Sequence, residues 1–268
     1  MTPPDQLLIV VISLGAGAIG AILGLGGGFI IVPMLLLVFG LSAQVSAGTS
    51  LVALIFTALS GTLGYTRQHR IDYRLGLSLA AASAPGAILG SVGSTYFSSE
   101  IVTGLFGGFM VLVAIYIGVA TPTKFSPAAA SGWRRRLVDR DGNVFEFHVR
   151  HLVPAFPLVF LAGVVAGFFG VGGGVLQVPV MIMFLGVPVE IATATSALVI
   201  VASALTRAIT HAQIGDIAYE FIPFIIVSVV VGAQIGVLIQ RRTGPRTLRR
   251  LFALFLVIIG LRMILVMV

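Results

Sequence analysis

The chain has 268 residues, of which 58% are hydrophobic and only 9% are charged, and its formal net charge is +7. A soluble domain carries about a quarter charged residues, so a mean hydropathy of +1.12 excludes a water-soluble protein and predicts an integral membrane protein surrounded by lipid. The positive charge is typical of basic loops held on the cytoplasmic side of a membrane, and we expect no nucleic-acid partner.

Eight apolar stretches follow one another along the chain, at about 7–40, 46–66, 75–97, 101–120, 155–186, 191–213, 218–240 and 247–268. Six have the length of one spanning helix, about 20 residues. The first and fifth are too long for one helix and too short for two, and a glycine cluster interrupts each. They predict a broken helix or re-entrant hairpin. No basic segment precedes the first stretch, so we expect this end to be retained rather than cleaved as a signal peptide.

A polar stretch at 121–153 separates the two halves. Within it, Asp141-Gly142-Asn143 forms a turn signal between short runs that contain Trp133 and Val144. This pattern predicts a small β-hairpin on the membrane surface, and the alternative is a disordered linker. The predicted domains are a first transmembrane repeat at 1–120, a connecting loop at 121–153 and a second transmembrane repeat at 154–268.

The two halves repeat one another at a shift of 146 residues. The segment Gly24-Leu-Gly26-Gly27-Gly28-Phe-Ile-Ile-Val32-Pro33 matches Gly170-Val-Gly172-Gly173-Gly174-Val-Leu-Gln-Val178-Pro179. Thr49-Ser50 matches Thr195-Ser196, whereas Asp72 matches Asp216 only after a local deletion of two residues. A shared shift through several separate motifs indicates an internal duplication.

The relative direction of the two halves depends on the broken first stretch. If that stretch crosses once, the halves are parallel, and if it enters and returns, they are inverted. Lys and Arg concentrate on the cytoplasmic side. The parallel arrangement splits the basic loops between two sides, whereas the inverted one puts fourteen of the 16 Lys and Arg residues on one side, at 67–74, 124–150 and 241–250.

We therefore predict an all-α integral membrane protein of two homologous inverted-topology repeats. Each repeat has a broken or re-entrant first helix pair and three spanning helices. The central loop is expected to be cytoplasmic and both termini to lie outside a bacterial-type plasma membrane.

Two runs of three glycines, Gly26–Gly28 and Gly172–Gly174, are the strongest candidates for a binding site. A helix break persists in hydrocarbon only where protein or a water-filled cavity satisfies its backbone. Each run can leave amides pointing into a cavity, and the half-helix that follows offers its positive end to the same point. In an inverted repeat these ends meet near the midplane. The alternative is that glycines only permit close packing, which is our interpretation of Gly17, Gly20 and Gly24.

The hydroxyls of Thr49, Ser50, Thr195 and Ser196 lie early in the second spanning helix of each half and are candidate donors to an anion. The alternative is that they bond carbonyls of their own helices, which is common for Ser and Thr in membranes. Gln177 is a further polar candidate beside the second broken helix.

Arg207 lies within a predicted spanning helix, where an arginine is costly enough to indicate a function by default. It is a candidate substrate-binding residue, and His211 follows it on the same helix. The alternative is that Arg207 extends outward toward Asp216 or Glu220.

No catalytic constellation emerges from the sequence. The chain has no Cys, and its four His, at positions 69, 148, 151 and 211, show no metal-binding spacing. No carboxylate lies deep in a predicted helix. We therefore expect neither an enzyme nor a metal or cofactor.

On these residues the chain resembles the TauE/SafE family of membrane permeases, also called sulfite exporters. The doubled glycine motif ending in Val-Pro, the two Thr-Ser pairs and the segment 65–72 carry the likeness, which covers nearly the whole chain except the central loop. The second copy departs from the pattern, since Arg207 stands where the first half has Gly61. The resemblance implies secondary transport of sulfur-containing anions such as sulfite or organosulfonates, for which proton coupling is often assumed.

The sequence thus predicts a secondary transporter that binds a small anion at the paired glycine-rich breaks and works by alternating access. Two alternatives stay open. One is an anion channel with the same site. The other is a transporter of a carboxylate or another non-sulfur anion, because backbone amides recognise charge and oxygen geometry rather than sulfur.

Overall fold

The computed structural model describes residues 3–119, 132–240, 254 and 256–265. Within them, the helices of the first half are α1 (Pro3–Leu23), α2 (Gly28–Leu37), α3 (Ala43–Arg67), α4 (Tyr73–Ser94) and α5 (Ser99–Val119). Two strands follow, β1 (Trp133–Val138) and β2 (Val144–Val149). The helices of the second half are α6 (Leu152–Phe169), α7 (Gly174–Met183), α8 (Val189–Ile214), α9 (Ile222–Gln240) and α10 (Leu256–Leu265).

Six helices in the described residues are long and apolar enough to cross a membrane: α1, α3, α4, α6, α8 and the segment Tyr219–Gln240 that contains α9. In contrast, α2 and α7 have 10 residues each, about 15 Å at 1.5 Å per residue. That is half of a hydrocarbon core of about 30 Å. The chain is therefore an all-α multi-pass membrane protein, as predicted. The basic loop at 241–250 and residues 120–131 lie outside the described residues.

Helices of one half pack against helices of the other. α1 packs against α9, and α4 packs against α6. A Cβ added to Gly90 of α4 would overlap the Val164 carbonyl oxygen of α6, and one added to Gly236 of α9 would overlap the Ala18 carbonyl oxygen of α1. Gly17 lies in the same α1–α9 interface, which confirms its interpretation as a packing glycine. Small residues therefore let these backbones approach closely.

The most buried spanning helices, α3 and α8, lie antiparallel. Early in α3, the Thr49 hydroxyl oxygen accepts a hydrogen bond of 2.9 Å from the Ala218 N–H, in the segment after α8. Early in α8, the Thr195 hydroxyl oxygen accepts one of 3.1 Å from the Asp72 N–H, in the segment after α3. Asp72 and Ala218 are related by the shift of 146. By these equivalent hydrogen bonds, the counterpart of Asp72 in the second half is Ala218 rather than Asp216.

The predicted β-hairpin is confirmed for residues 132–149, where the linker alternative is wrong. The strands pair antiparallel, from Trp133 opposite Val149 to Val138 opposite Val144. Phe147 and Val149 are buried and pack into an apolar cluster with residues of α4 and α6. The alternation of buried and exposed residues along β2 therefore gives the hairpin one face toward the helices and one face away from them.

Two ion pairs attach the hairpin to the loop between α3 and α4. Arg70 Nη2 lies 2.8 Å from Asp139 Oδ2, with the side chains 9% and 1% exposed. Arg135 Nε donates to Asp72 Oδ2 at 2.6 Å, and its Nη2 donates to the other oxygen. The Asp72 carboxylate also accepts from the Leu75 N–H and so caps α4. The hairpin therefore fixes the loop whose Asp72 N–H contacts α8.

We expect acid to release the hairpin. Burial opposes ionisation of the Asp139 carboxyl, but hydrogen bonds from Asn143 and Arg70 outweigh it and lower its pKa from 3.8 to about 2. Such a group stabilises the fold above its unfolded pKa and loses that contribution as the pH falls through its folded pKa. Docking should be complete above about pH 4 and weaken toward pH 2. The single tryptophan, Trp133, has the Arg135 guanidinium 4.5 Å from its ring centre, so its emission reports the release.

Two variants separate the buried pair from an exposed one. Asp139→Asn leaves Arg70 buried without its partner, and removing one member of a buried pair costs about 3–5 kcal/mol. Trp133 emission should then be altered at neutral pH. Glu146 faces Arg134 and Arg136 at exposed positions, where a pair contributes about 0–1 kcal/mol, so Glu146→Gln should keep the wild-type emission. An unchanged acid transition in Asp139→Asn would refute this assignment.

Candidate functional site

The two predicted helix breaks meet at the centre of the molecule, as a first glycine loop (residues 24–27) and a second glycine loop (residues 170–173). A Cβ added to Gly172 would overlap the Leu25 carbonyl oxygen. One added to Gly174 would overlap the Gly24 carbonyl oxygen. The predicted convergence of the two glycine runs is therefore observed, and these two positions have no room for a side chain.

The first glycine loop turns the chain back toward α1. The Gly26 N–H donates to the Gly20 carbonyl at 3.3 Å. Gly27 has φ 79°, a left-handed conformation that a residue with a Cβ adopts only at a cost. A Cβ there would also lie 2.7 Å from the Ala16 carbonyl oxygen. The start of α2, at Gly28, thus lies beside α1 and not beyond its end.

The short helices α2 and α7 begin where the loops meet. Their N-cap residues are Gly27 and Gly173, and no side chain caps either helix. First-turn N–H groups have no intrahelical acceptor. In the described part of the chain, neither the Gly27 nor the Gly173 N–H donates a hydrogen bond to the backbone. The positive ends of two helices therefore lie where the loops meet, an arrangement suited to an anion.

The two serines hold the glycine loop of the opposite half. Ser50 Oγ donates to the Gly170 carbonyl at 2.7 Å, and Ser196 Oγ donates to the Gly24 carbonyl at 2.9 Å. Each hydroxyl is also within range of a carbonyl of its own helix, at 2.7 and 2.8 Å, as the alternative interpretation anticipated. A serine has one O–H donor, so neither can donate to an anion while these bonds hold.

The two threonines differ from the serines. Thr49 and Thr195 are fully buried, and their oxygens accept the N–H bonds from Ala218 and Asp72. A threonine hydroxyl both accepts and donates, so these contacts leave each proton available. Of the four hydroxyls predicted to bind substrate, those of the threonines remain candidate donors.

Arg207 is fully buried in α8. Its Nη1 donates to the Ala166 carbonyl at 2.8 Å and to the Val171 carbonyl at 3.0 Å. Nη2 is buried and has no partner among the described residues. The interpretation that Arg207 extends outward to Asp216 or Glu220 is wrong, because its guanidinium bonds the second glycine loop instead. The side chain of His211 lies outside the described residues.

Gln177 lies on α7 and is fully buried. Its Nε2 donates to Ser83 Oγ at 2.7 Å, and its Oε1 has no partner among the residues described. A Cβ added to Gly173 would lie 2.6 Å from Gln177 Nε2, so the carboxamide borders the second glycine loop. Sequence reasoning missed Ser83, because its counterpart at the shift of 146 is Val229 and the repeat gave no signal there.

A small cavity lies beside the first glycine loop. Its volume is about 10 Å³, near the minimum for one water molecule. Gly24, Thr57, Gly61 and Tyr65 are among its lining residues. An oxyanion with several heavy atoms does not fit in this cavity, so the structure leaves no room there for such an anion beside the first glycine loop. In the described residues, no three His, Cys, Asp or Glu side chains come together as a metal site would require.

Known proteins resemble this chain over nearly its whole length. Residues 9–263 match the family described as sulfite exporter TauE/SafE. The chain is 31% identical over 265 residues to the probable membrane transporter protein YunE of Bacillus subtilis (strain 168), covering 96% of this chain and 97% of that one. It is 26% identical over 231 residues to YdhB, a probable membrane transporter protein of the same strain, covering 86% and 88%.

A probable membrane transporter protein of Xylella fastidiosa (strain Temecula1) is 27% identical over 270 residues, covering 97% of this chain and 95% of that one. No solved structure matches. The family match spans both glycine loops and the helices around them. The chain therefore belongs to the TauE/SafE sulfite exporter family of membrane transporters, as its doubled glycine motif predicted.

Proposed function

We propose that this protein is a secondary transporter that moves a small sulfur-containing anion, such as sulfite or an organosulfonate, across the cytoplasmic membrane by alternating access and coupled to protons. The buried Arg207 guanidinium carries this proposal, because among the described residues it has no carboxylate partner and its Nη2 has no hydrogen-bond partner. A buried charge without a counterion costs several kcal/mol, and an anion beside Nη2 would offset that cost. The free amides of the two helix N-termini add donors at the same place.

The family supports the sulfur-containing substrate, since its description names sulfite export. Proton coupling is our expectation for a secondary transporter of this family. A carboxylate would also satisfy a guanidinium and backbone amides, so acetate has to be compared with the sulfur-containing anions.

Many transporters that work by alternating access consist of two halves of inverted topology. The antiparallel α3 and α8 support that relation, because a threonine in the second turn of each contacts the segment after the other. Gln68 Nε2 donates to the Val237 carbonyl at 3.5 Å, which brings the end of α9 close to the loop where the hairpin docks. The same face carries the basic residues of the hairpin and of the loop at 67–74. By the positive-inside rule that face is cytoplasmic and both termini are outside.

Flux in proteoliposomes tests the proposal. Vesicles are loaded with sulfite, methanesulfonate or acetate, with and without an imposed proton gradient, and protein-free vesicles serve as the control. We expect saturable sulfite or sulfonate flux that the gradient drives uphill. Downhill flux that does not saturate would instead indicate a channel, and a preference for acetate would indicate a carboxylate transporter. No flux of any of the three would refute the proposed function.

A further inference from the structure

The buried polar side chains where the two loops meet are concentrated near the second glycine loop. Three buried polar residues near the second glycine loop have small or apolar counterparts at the shift of 146 residues: Arg207 and Gly61, Gln177 and Ile31, and Ser83 and Val229. The backbone repeats between the halves, but its side-chain chemistry does not.

At Gly26 the first glycine loop is bordered by apolar side chains. A Cβ added to Gly26 would meet the side chains of Leu54 and Ile200. The nearby hydroxyls of Thr57 and Tyr65 already donate to backbone carbonyls. An oxyanion at the first loop would find backbone amides but no side-chain donor among these residues.

Two unpartnered polar atoms border the second glycine loop instead. Arg207 Nη2 belongs to a guanidinium that bonds the Val171 carbonyl. The Gln177 carboxamide borders Gly173, where a Cβ would lie 2.6 Å from its bonded Nε2 and 3.4 Å from its unpartnered Oε1. A serine hydroxyl both donates and accepts, so Ser83 keeps its bond to Gln177 when the carboxamide turns over. Gln177 can then direct its Nε2 toward an anion while Ser83 donates to its Oε1.

Resting on the proposed function, we infer that the anion binds at the second glycine loop alone, to Arg207 and Gln177, and that the Ser83–Gln177 pair selects oxyanions over halides. Arg207 bonds the Val171 carbonyl and Gln177 borders Gly173. These two loop residues are two positions apart in the chain, which separates them by up to roughly 7 Å. An oxyanion offers separate oxygens to donors on both sides of the loop. A monatomic halide accepts from one side and leaves the other donor unpaired. Ser83 acts as a positioning residue for Gln177.

Binding measured on the purified protein in detergent tests this inference separately from flux. The dissociation constants for sulfite, methanesulfonate and chloride are determined by titration calorimetry. Gln177→Leu should raise the Kd for sulfite by about 10- to 100-fold, the factor that one hydrogen bond to a charged group supplies, and leave that for chloride almost unchanged. Ser83→Ala should shift the same ratio in the same direction by a smaller factor.

The repeat supplies matched controls. Ile31→Leu and Val229→Ala alter the positions that correspond to Gln177 and Ser83 at the shift of 146 residues, and Ser91→Ala removes another buried serine of α4. All three should keep the wild-type ratio of sulfite to chloride affinity. If Ile31→Leu weakened sulfite binding as much as Gln177→Leu, the one-sided site would be wrong. If Ser83→Ala weakened sulfite and chloride binding equally, Ser83 would have no part in selection.

The binding and flux results separate the two proposals. If the wild-type protein binds sulfite with the expected variant pattern but moves none of the anions, the proposed function fails and the one-sided site stands. If the protein moves sulfite but Ile31→Leu and Val229→Ala weaken its binding as much as Gln177→Leu and Ser83→Ala, the one-sided site fails and the proposed function stands. Absence of sulfite binding by the wild-type protein would overturn the one-sided site.

Discussion

Replacing Arg207 by Met should lower anion transport by at least about 100-fold, the upper range for losing a hydrogen bond from a charged donor, while the protein still inserts and folds. The guanidinium supplies the one fully buried cationic side chain among the described residues. Without it, a dehydrated anion at the second glycine loop meets only backbone amides and neutral side chains. Met fills a similar volume, and replacing buried charge by an apolar side chain is often neutral for stability.

Two further variants test whether the loss of transport is specific to the Arg207 guanidinium: Arg207→Lys, which is conservative, and Arg262→Gln, which is the control. Lysine keeps the charge but lacks the planar fork whose Nε and Nη1 bond three carbonyls while Nη2 stays available, so Arg207→Lys should retain a small part of the flux. Arg262 lies exposed on α10, and Arg262→Gln should transport like the wild type. Sulfite flux in proteoliposomes with matched protein content measures all three. Wild-type flux from Arg207→Met would remove Arg207 from the site.

Adding a single methyl group at Gly174 should lower the melting temperature of the protein by several degrees. The new Cβ would overlap the Gly24 carbonyl oxygen, and that is a backbone atom which cannot rotate away. Overpacking of this kind costs about 1–3 kcal/mol, and the same carbonyl accepts the Ser196 bond, worth about 1 kcal/mol. At about 2–4 °C per kcal/mol for a chain of this size, Gly174→Ala should melt roughly 5–15 °C below the wild type in detergent.

Gly15→Ala is the control for Gly174→Ala. Gly15 lies within α1, and a Cβ there meets nothing within 4 Å. Alanine is favoured over glycine in a helix by about 1 kcal/mol, so this variant should melt at or above the wild-type temperature. Equal melting of Gly174→Ala and the wild type would mean that the two loops do not touch as described.

The sequence predicted the membrane class, the two helix breaks and the hairpin because each depends on local composition. An apolar run longer than one helix and interrupted by glycines has few ways to satisfy its backbone in lipid. The Asp141-Gly142-Asn143 turn likewise needs no distant partner. The repeated motif made both glycine runs visible at once, and we expected them to converge because we predicted that the two halves are inverted.

Partner choice could not be predicted, because it depends on which helix faces which. Nothing in the Thr-Ser motif indicates that each serine binds a glycine carbonyl of the other half. The direction of Arg207 depends on space beside α6, where its Nη1 reaches the Ala166 carbonyl. Ser83 is one of several serines along α4, and only the packing of α4 beside α7 distinguishes it from Ser91.

The bonds from Ser50 to Gly170 and from Ser196 to Gly24 have a consequence for how such a chain arose. Each loop carbonyl is completed by a hydroxyl from the other half, and an unpaired carbonyl in hydrocarbon is expensive. A single ancestral half could have satisfied its own loop only by pairing with a second copy, antiparallel as α3 and α8 are now. On the predicted duplication, gene fusion would then have joined two chains that already depended on each other, and Arg207 and Gln177 would mark where the copies later diverged.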